Sequence, residues 1–221
     1  IHARAVERGQ SRRELDELKH IGIDEKSFLK GHKYASLMVD IDGERVLDVV
    51  EGRTLEAANA LWAKLPEEFR SGIDAVAMDM WDAFITSTKI NARQASIVHD
   101  KFHISKYLNE AVDKVRRKEH KEFMSEGDET LKGAKYLFLK SPENMSDNEK
   151  ERFQSLRKDN LKAGRAWSIK EQFAEFWTYT YQASAKKFFE QWYWWATHSR
   201  LKPMADVAKL MKRHLDNILT Y

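Results

Sequence analysis

The chain contains no cysteine, which excludes a disulfide framework, thiolate zinc sites and a cysteine nucleophile together, and fits a reducing compartment. It has no apolar run near the ~20 residues that cross a bilayer, and 33% of its residues are charged, so a membrane span is excluded. Three prolines and nine glycines among 221 residues predict few turns and long helices. Neither sign of charge dominates: 38 Lys and Arg against 35 Asp and Glu leave a net charge of +3. No basic, apolar and small-residue leader opens the chain, so a secretory peptide is not expected and the cytoplasm is. The chain starts at Ile1 rather than at a methionine, which reads as a piece of a longer protein. What is present is a 42% hydrophobic fraction, enough for a real core. The length fits one domain with a large insertion. Six of the nine glycines fall by Gly72 and five of the seven tryptophans fall from Trp167 to Trp195, so the two halves differ in architecture.

His2 to Lys19 is charged and reads as the tail of a helix or a linker. Short β-type segments follow: Ile21 to Asp24, Tyr34 to Val39 and Val46 to Val50, punctuated by Gly31-His32 and by Asp42-Gly43, the latter a strong hairpin signal. Thr54 is placed to cap a helix through Leu55, Ala58, Leu61 and Trp62, which Pro66 ends. Ile73 to Met80 and Ser96 to Asp100 are two more apolar runs, with a helical stretch between them. The order is β-β-β-α-β-α-β. Sequential strands pair and strands joined through a helix lie parallel, so the expected fold class is α/β, a mixed five-stranded sheet with the first and fourth strands at its centre. That is the RNase H-like arrangement, although other α/β layouts share parts of the string. From Ile104 onward helices dominate, over Ile104 to Phe123, Asp147 to Leu161, Ser168 to Trp177, Ser184 to Trp195 and Met204 to Leu219, with Tyr136 to Leu139 as a possible strand. The boundaries read as a linker over 1–19, an RNase H-like core over 20–123 and a large all-helical insertion or C-terminal extension over 124–221.

Asp24 and Asp79 stand at the ends of hydrophobic strands. An aspartate that ends a strand and opens a turn is common, but Asp24 lies in Ile21-Gly22-Ile23-Asp24-Glu25-Lys26 ahead of any turn signal. A carboxylate desolvated there costs several kcal/mol unless a cation accompanies it. Mg²⁺ is held by one or two carboxylates plus substrate phosphates, and two such ions serve phosphodiester chemistry. Asp100 and His103, three residues apart where a strand runs into a helix, either share a face or are an aspartate cap beside an incidental histidine.

Four motifs in order carry a resemblance: Ile21-Gly22-Ile23-Asp24-Glu25-Lys26-Ser27, Ala77-Met78-Asp79-Met80-Trp81, Val98-His99-Asp100-Lys101-Phe102-His103 and Trp192 to Leu201. Together they resemble the DDE transposases of bacterial insertion sequences, of the ISL-three family, over nearly the whole chain. The resemblance implies an RNase H-like catalytic domain in a bacterial cytoplasm that cuts and joins transposon ends with two divalent ions, Mg²⁺ or Mn²⁺. Its partners are DNA, both transposon ends and target, and paired-end chemistry implies a homodimer or higher assembly of the parent enzyme. Asp24 and Asp79 match the first two carboxylates and the metal ligands, while Asp100 and His103 match a site-supporting Asp-x-x-His element. The family's final glutamate lies in an Asn-Ala-x-x-Glu-Gly-x-Asn type motif absent from this sequence, so the third carboxylate is Glu171 or lies beyond Tyr221. The family's zinc-binding and helix-turn-helix parts are absent apart from a possible remnant in Ile1 to Arg13.

The DNA-binding candidates are Lys114, Arg116, Arg117 and Lys118 on one predicted helix, Arg200, and Trp194 as a base-stacking aromatic. The basic residues otherwise form a solvated face balanced by Asp113, Glu119 and Glu122. Phe188, Trp192 and Trp195 share a helix face and are assigned to the core. Two other functions remain open, a metal-dependent nuclease of the same fold and a truncated, inactive transposase remnant that at most binds DNA.

Overall fold

The computed structural model describes residues 17–29, 33–158 and 161–220. The expected Gly31-His32 break and nearly all of the amino-terminal charged segment lie outside them. The chain divides into two compact units, one ending at His99 and one over Asp100–Leu219.

The first unit is a five-stranded mixed sheet in the order β3-β2-β1-β4-β5. Its strands are β1 (His20–Leu29), β2 (Lys33–Asp40), β3 (Arg45–Glu51), β4 (Ala75–Met78) and β5 (Ser96–His99). β1, β2 and β3 form the expected antiparallel meander, and β4 and β5 add parallel to β1 in turn. Helices α1 (Leu55–Ala63), α2 (Glu67–Ser71) and α3 (Asp82–Asn91) supply the crossovers. Alternation along β1 and β4 decides what is inside. Ile21, Ile23, Val76 and Met78 are buried, and Leu61, Trp62 and Phe84 from α1 and α3 complete that core. Each such side chain contributes ~1.5–3 kcal/mol on burial.

Local chemistry sets the joints. Thr54 caps α1 as expected, its hydroxyl accepting from the Ala57 amide at 3.3 Å. Between β2 and β3 the turn covers Ile41 to Glu44, and the left-handed residue is Glu44 (φ 49°) rather than Gly43. Buried Asp40 holds that turn, accepting from the Gly43 amide at 3.0 Å and from Arg45 Nε at 2.9 Å.

The second unit is helical: α4 (Lys101–Ser125), α5 (Lys135–Leu139), α6 (Asp147–Lys158), α7 (Lys162–Phe173), α8 (Gln182–His198), α9 (Lys202–Arg213) and α10 (Leu215–Ile218). One-turn and longer 3₁₀ segments cover Pro142–Asn144 and Ala174–Thr178. Ile104, Leu108, Ala111, Val112 and Val115 form the buried stripe of α4. Aromatic rings fill the interior, with Phe153 edge-on to both Phe138 and Trp167 and Phe173 packed against Phe176 and Trp192.

Several sequence expectations are corrected in this unit. Tyr136 to Leu139 is helical, because consecutive Leu137 and Phe138 are both buried while Tyr136 is exposed, which strand alternation does not allow. The last helix is broken at His214, and the segment expected from Ser168 begins at Lys162 and tightens to 3₁₀ after Phe173. Phe189 takes a fully buried place beside Phe188 and Trp192, while Trp195 is only half-buried. Among the described residues no helix is long and apolar enough to cross a membrane.

Candidate active site

The parallel pairing of β1 with β4 aligns Ile21 with Val76, Gly22 with Ala77 and Ile23 with Met78. The next residue in each segment is an aspartate, so Asp24, midway along β1, and Asp79, just past the carboxyl end of β4, lie side by side, about 4.8 Å apart in backbone spacing. The expected strand-end position holds for Asp79 and not for Asp24, because β1 continues to Leu29 in pairing with β2. Both follow a buried core residue and so fall on the face opposite the core. Asp24 is exposed and Asp79 half-buried, so no desolvation cost marks Asp24, contrary to the strand-burial argument from its sequence. What distinguishes the pair is adjacency. Asp24 Oδ1 accepts from the Glu25 amide at 2.7 Å and Asp79 Oδ1 from the Met80 amide at 2.5 Å.

The donor set suits a hard divalent cation. Two carboxylates on neighbouring strand segments are what Mg²⁺ takes from protein when substrate phosphates complete its shell. Among the described residues no cluster of three His, Cys, Asp or Glu side chains offers a full protein cage.

Residues not singled out from the sequence brace this end of the sheet. Gly52, with φ of 94°, turns the chain out of β3 into Arg53. The Arg53 guanidinium lies 4.1 Å from the Tyr34 ring centre and 4.8 Å from that of Trp81, and its Nη1 bonds Glu25 Oε1 at 3.0 Å. Trp81 Nε1 in turn donates to the Arg53 carbonyl at 2.9 Å. Glu25 follows Asp24 and Trp81 lies two residues past Asp79, so Arg53 ties together the chain segments that carry both carboxylates. His99, fully buried, bonds through Nδ1 to the Met78 carbonyl at 3.1 Å and braces β5 against the residue before Asp79. A polar residue at a core-facing strand position was the only sequence signal for His99.

Asp24 and Asp79 are brought together within the first unit, whereas Asp100, His103 and Glu171 belong to the second. Asp100 is the cap of α4, its carboxylate accepting from the Phe102 amide at 2.8 Å. His103 is half-buried and lies edge-on to Phe102. Glu171 is not on a solvated Lys-Glu surface. It pairs at 2.8 Å with Lys170, which is buried and also donates to the Leu139 carbonyl at 3.0 Å. Glu171 lines a cavity of about 250 Å³ that Lys101, Asn109 and Trp177 share.

The basic candidates separate by burial. Arg116 is buried, and its Nε and Nη2 both bond Asp113, so its charge is neutralised within the helix. Arg117 is exposed and pairs with the same carboxylate at 3.1 Å. Lys114, Lys118 and Arg200 are exposed and line one groove. Trp194 is 62% exposed and stacks on His198 at 4.5 Å.

Two curated relatives are similar to most of the chain. A transposase for insertion sequence element IS1001 from Bordetella parapertussis is 29% identical over 205 residues, 91% of this chain and 50% of that protein. A transposase for insertion sequence element IS1557 from Mycobacterium tuberculosis is 24% identical over 220 residues, 89% of this chain and 49% of that protein. The chain thus spans about half the length of the curated relatives it matches. The model of one family, described as "Transposase", matches residues 21–221, from the strand that bears Asp24 through the whole helical unit. The chain belongs to the DDE transposases of the ISL-three family.

Proposed function

We propose that the chain is catalytic machinery of a transposase, acting in a bacterial cytoplasm to cleave and rejoin DNA at the ends of an insertion sequence, with Asp24 and Asp79 as its first two metal-holding carboxylates. The observation that carries this reading is the β1–β4 register, which makes the two residues following Ile23 and Met78 neighbours. The chemistry that Mg²⁺ or Mn²⁺ supplies when two ions are bound is activation of a water or 3′ hydroxyl and stabilisation of the leaving phosphodiester oxygen. The protein's part is placement. The Arg53 brace and the His99 bond hold the two segments that carry the aspartates, so the carboxylates are fixed relative to each other before DNA arrives. By the family resemblance Asp100 and His103 are assigned site-supporting roles, and the 20–123 segment is the catalytic core with 124–221 as a helical insertion or C-terminal extension. The third carboxylate is Glu171 or belongs to another part of the parent enzyme, and the working assembly is a homodimer or larger.

A terminally labelled duplex bearing an end of the element, incubated with the chain and Mg²⁺ or Mn²⁺, tests this. Asp24→Asn and Asp79→Asn should each lower cleavage by at least ~10²-fold, the scale on which removal of a charge-stabilising group acts, with DNA binding retained. Joined strands identify a transposase, and hydrolysed ends alone identify a nuclease of the same fold. Glu171→Gln should abolish cleavage if it is the third carboxylate, and should lower only stability if its role is to neutralise Lys170. An inactive remnant that binds DNA is the alternative outcome of the same experiment. Absence of metal-dependent cleavage by the wild-type chain would establish that reading and overturn the first.

A further inference from the structure

We propose that a groove between α4 and α9 is a docking trough for the sugar-phosphate backbone of DNA, built wholly from the helical unit. The two helices pack side by side, and the space left between their facing stripes is about 680 Å³. Lys114 and Lys118 stand one turn apart on α4, and Arg213 closes the far end of α9. Arg200 enters from the turn before α9. Among the described residues none of these four cations lies within ion-pair distance of a carboxylate.

The anions nearby do not balance them. Glu119 is 3% exposed, and both its oxygens accept from the first amides of α7, at 2.6 and 2.8 Å. Asp206 is paired with Lys202 at 2.6 Å, and Lys162 with Glu122 at 2.7 Å. Glu110 is the remaining carboxylate on the lining. Four cations against one carboxylate leave a concave surface of net positive charge, with walls that focus its field.

Two independent features place positive charge at the mouth. α9 starts with no side-chain cap and no acidic residue in its first turn, so its positive end is reinforced by Arg200 just before it instead of being offset. Arg200 itself has φ of 61°, the left-handed conformation in which helices commonly end, and this turn out of α8 sets it on the groove lining. Between the cations the floor is apolar, with Val115, Val207 and Leu210. A polyanion that alternates phosphates with apolar deoxyribose faces complements that layout, cations at the rim and hydrocarbon beneath.

The identity of the polyanion as DNA rests on the transposase reading; the groove's preference for a phosphate chain rests on its own charges. The test is binding of a fluorescein-labelled duplex of unrelated sequence, followed by anisotropy across a potassium chloride series with the full chain. Each cation that neutralises a phosphate adds about 0.9 to the salt slope, so Lys118→Gln/Arg200→Gln should reduce the slope by about 2 and weaken binding at least ~10-fold at low salt. Lys132→Gln/Lys150→Gln, also exposed and outside the groove, is the control and should keep the wild-type slope. A single Lys114→Gln, expected to reduce the slope by about 1, covers the case in which the double variant loses its fold by circular dichroism. A wild-type slope in the groove variants, or displacement of DNA by polyglutamate of the opposite preference, binding better than the duplex, would overturn the proposal. The two readings fail separately. The salt slope is read without metal ion or cleavage, and Asp24→Asn should leave it unchanged.

Discussion

Glu119 shows how one side chain can organise distant backbone. The start of α7 has no side-chain cap of its own, because Leu161 occupies that position. Glu119, on α4, supplies what Leu161 lacks by accepting from the amides of Lys162 and Ala163. Amides at a helix start have no intrahelical partner, and leaving a buried one unsatisfied costs ~1–3 kcal/mol. Glu119→Ala should therefore destabilise the helical unit by about 2–4 kcal/mol, and Glu119→Gln by about half as much, since one carbonyl oxygen remains. Urea unfolding followed by tryptophan fluorescence reads this directly, because buried Trp167 and Trp192 sit in that unit. An unchanged midpoint would show that Glu119 is dispensable. Neither Glu119 nor Arg53 was legible as important in the sequence. Each looks like one more charge on an amphipathic segment until the fold brings its partners, 43 or 44 residues away for Glu119 and 28 for Arg53, into contact.

Secondary-structure elements were more legible than contacts, and their junctions carry two tests. α6 opens with Ser146 and Glu149 in a capping box: Glu149 Oε2 accepts from the Ser146 amide at 2.9 Å, and the Ser146 hydroxyl accepts from the Glu149 amide at 3.4 Å. Lys140, bonded to Glu149 at 2.7 Å, holds that carboxyl below the usual glutamate range, and the Ser146 amide adds to the effect. A carboxyl lowered in the fold contributes stability that is complete above its unfolded pKa and is lost as pH falls through its folded pKa. The stability difference between wild type and Glu149→Gln should therefore be largest at neutral pH and close on acidification, as measured by thermal unfolding across the acid range. A difference independent of pH would contradict the assignment. In β1, a methyl group added at Gly22 would meet Val39 Cγ2 at 2.8 Å. Valine is stiff at χ1 and cannot step aside cheaply, so Gly22→Ala should cost ~1–3 kcal/mol, measurable as a lower midpoint with faster amide exchange in β1 and β2. The Ser146-Asp147-Asn148-Glu149 spacing was a usable signal for the start of α6, whereas the Gly22 contact was not, since it depends on which strand pairs with β1.

At the scale of the molecule, a net charge of +3 says little about where DNA would bind. The fold removes Arg116 from the surface, ties Lys162, Lys202 and Lys212 to carboxylates, and leaves Lys114, Lys118, Arg200 and Arg213 around one trough. Division at His99 places the sheet, its three crossover helices and the aspartate pair in one unit and α4 to α10 with Glu171 in the other. The strand order was readable because hydrophobic alternation and Asp-Gly or helical spacers are local properties of the chain. The short run Tyr136 to Leu139 was misread because four apolar residues carry no period, and burial of adjacent Leu137 and Phe138 settles it as helix. By itself the sequence determined the α/β class, the order of the elements, the absence of cysteine chemistry and the presence of an aspartate within the first strand and after the fourth. Tertiary structure fixed the register that makes those aspartates neighbours, and it alone decided which cations remain unpaired and which polar groups are braces. The reason is physical: propensity and periodicity act over a few residues, whereas charge pairing, capping and strand register depend on distances that the chain acquires only when it folds.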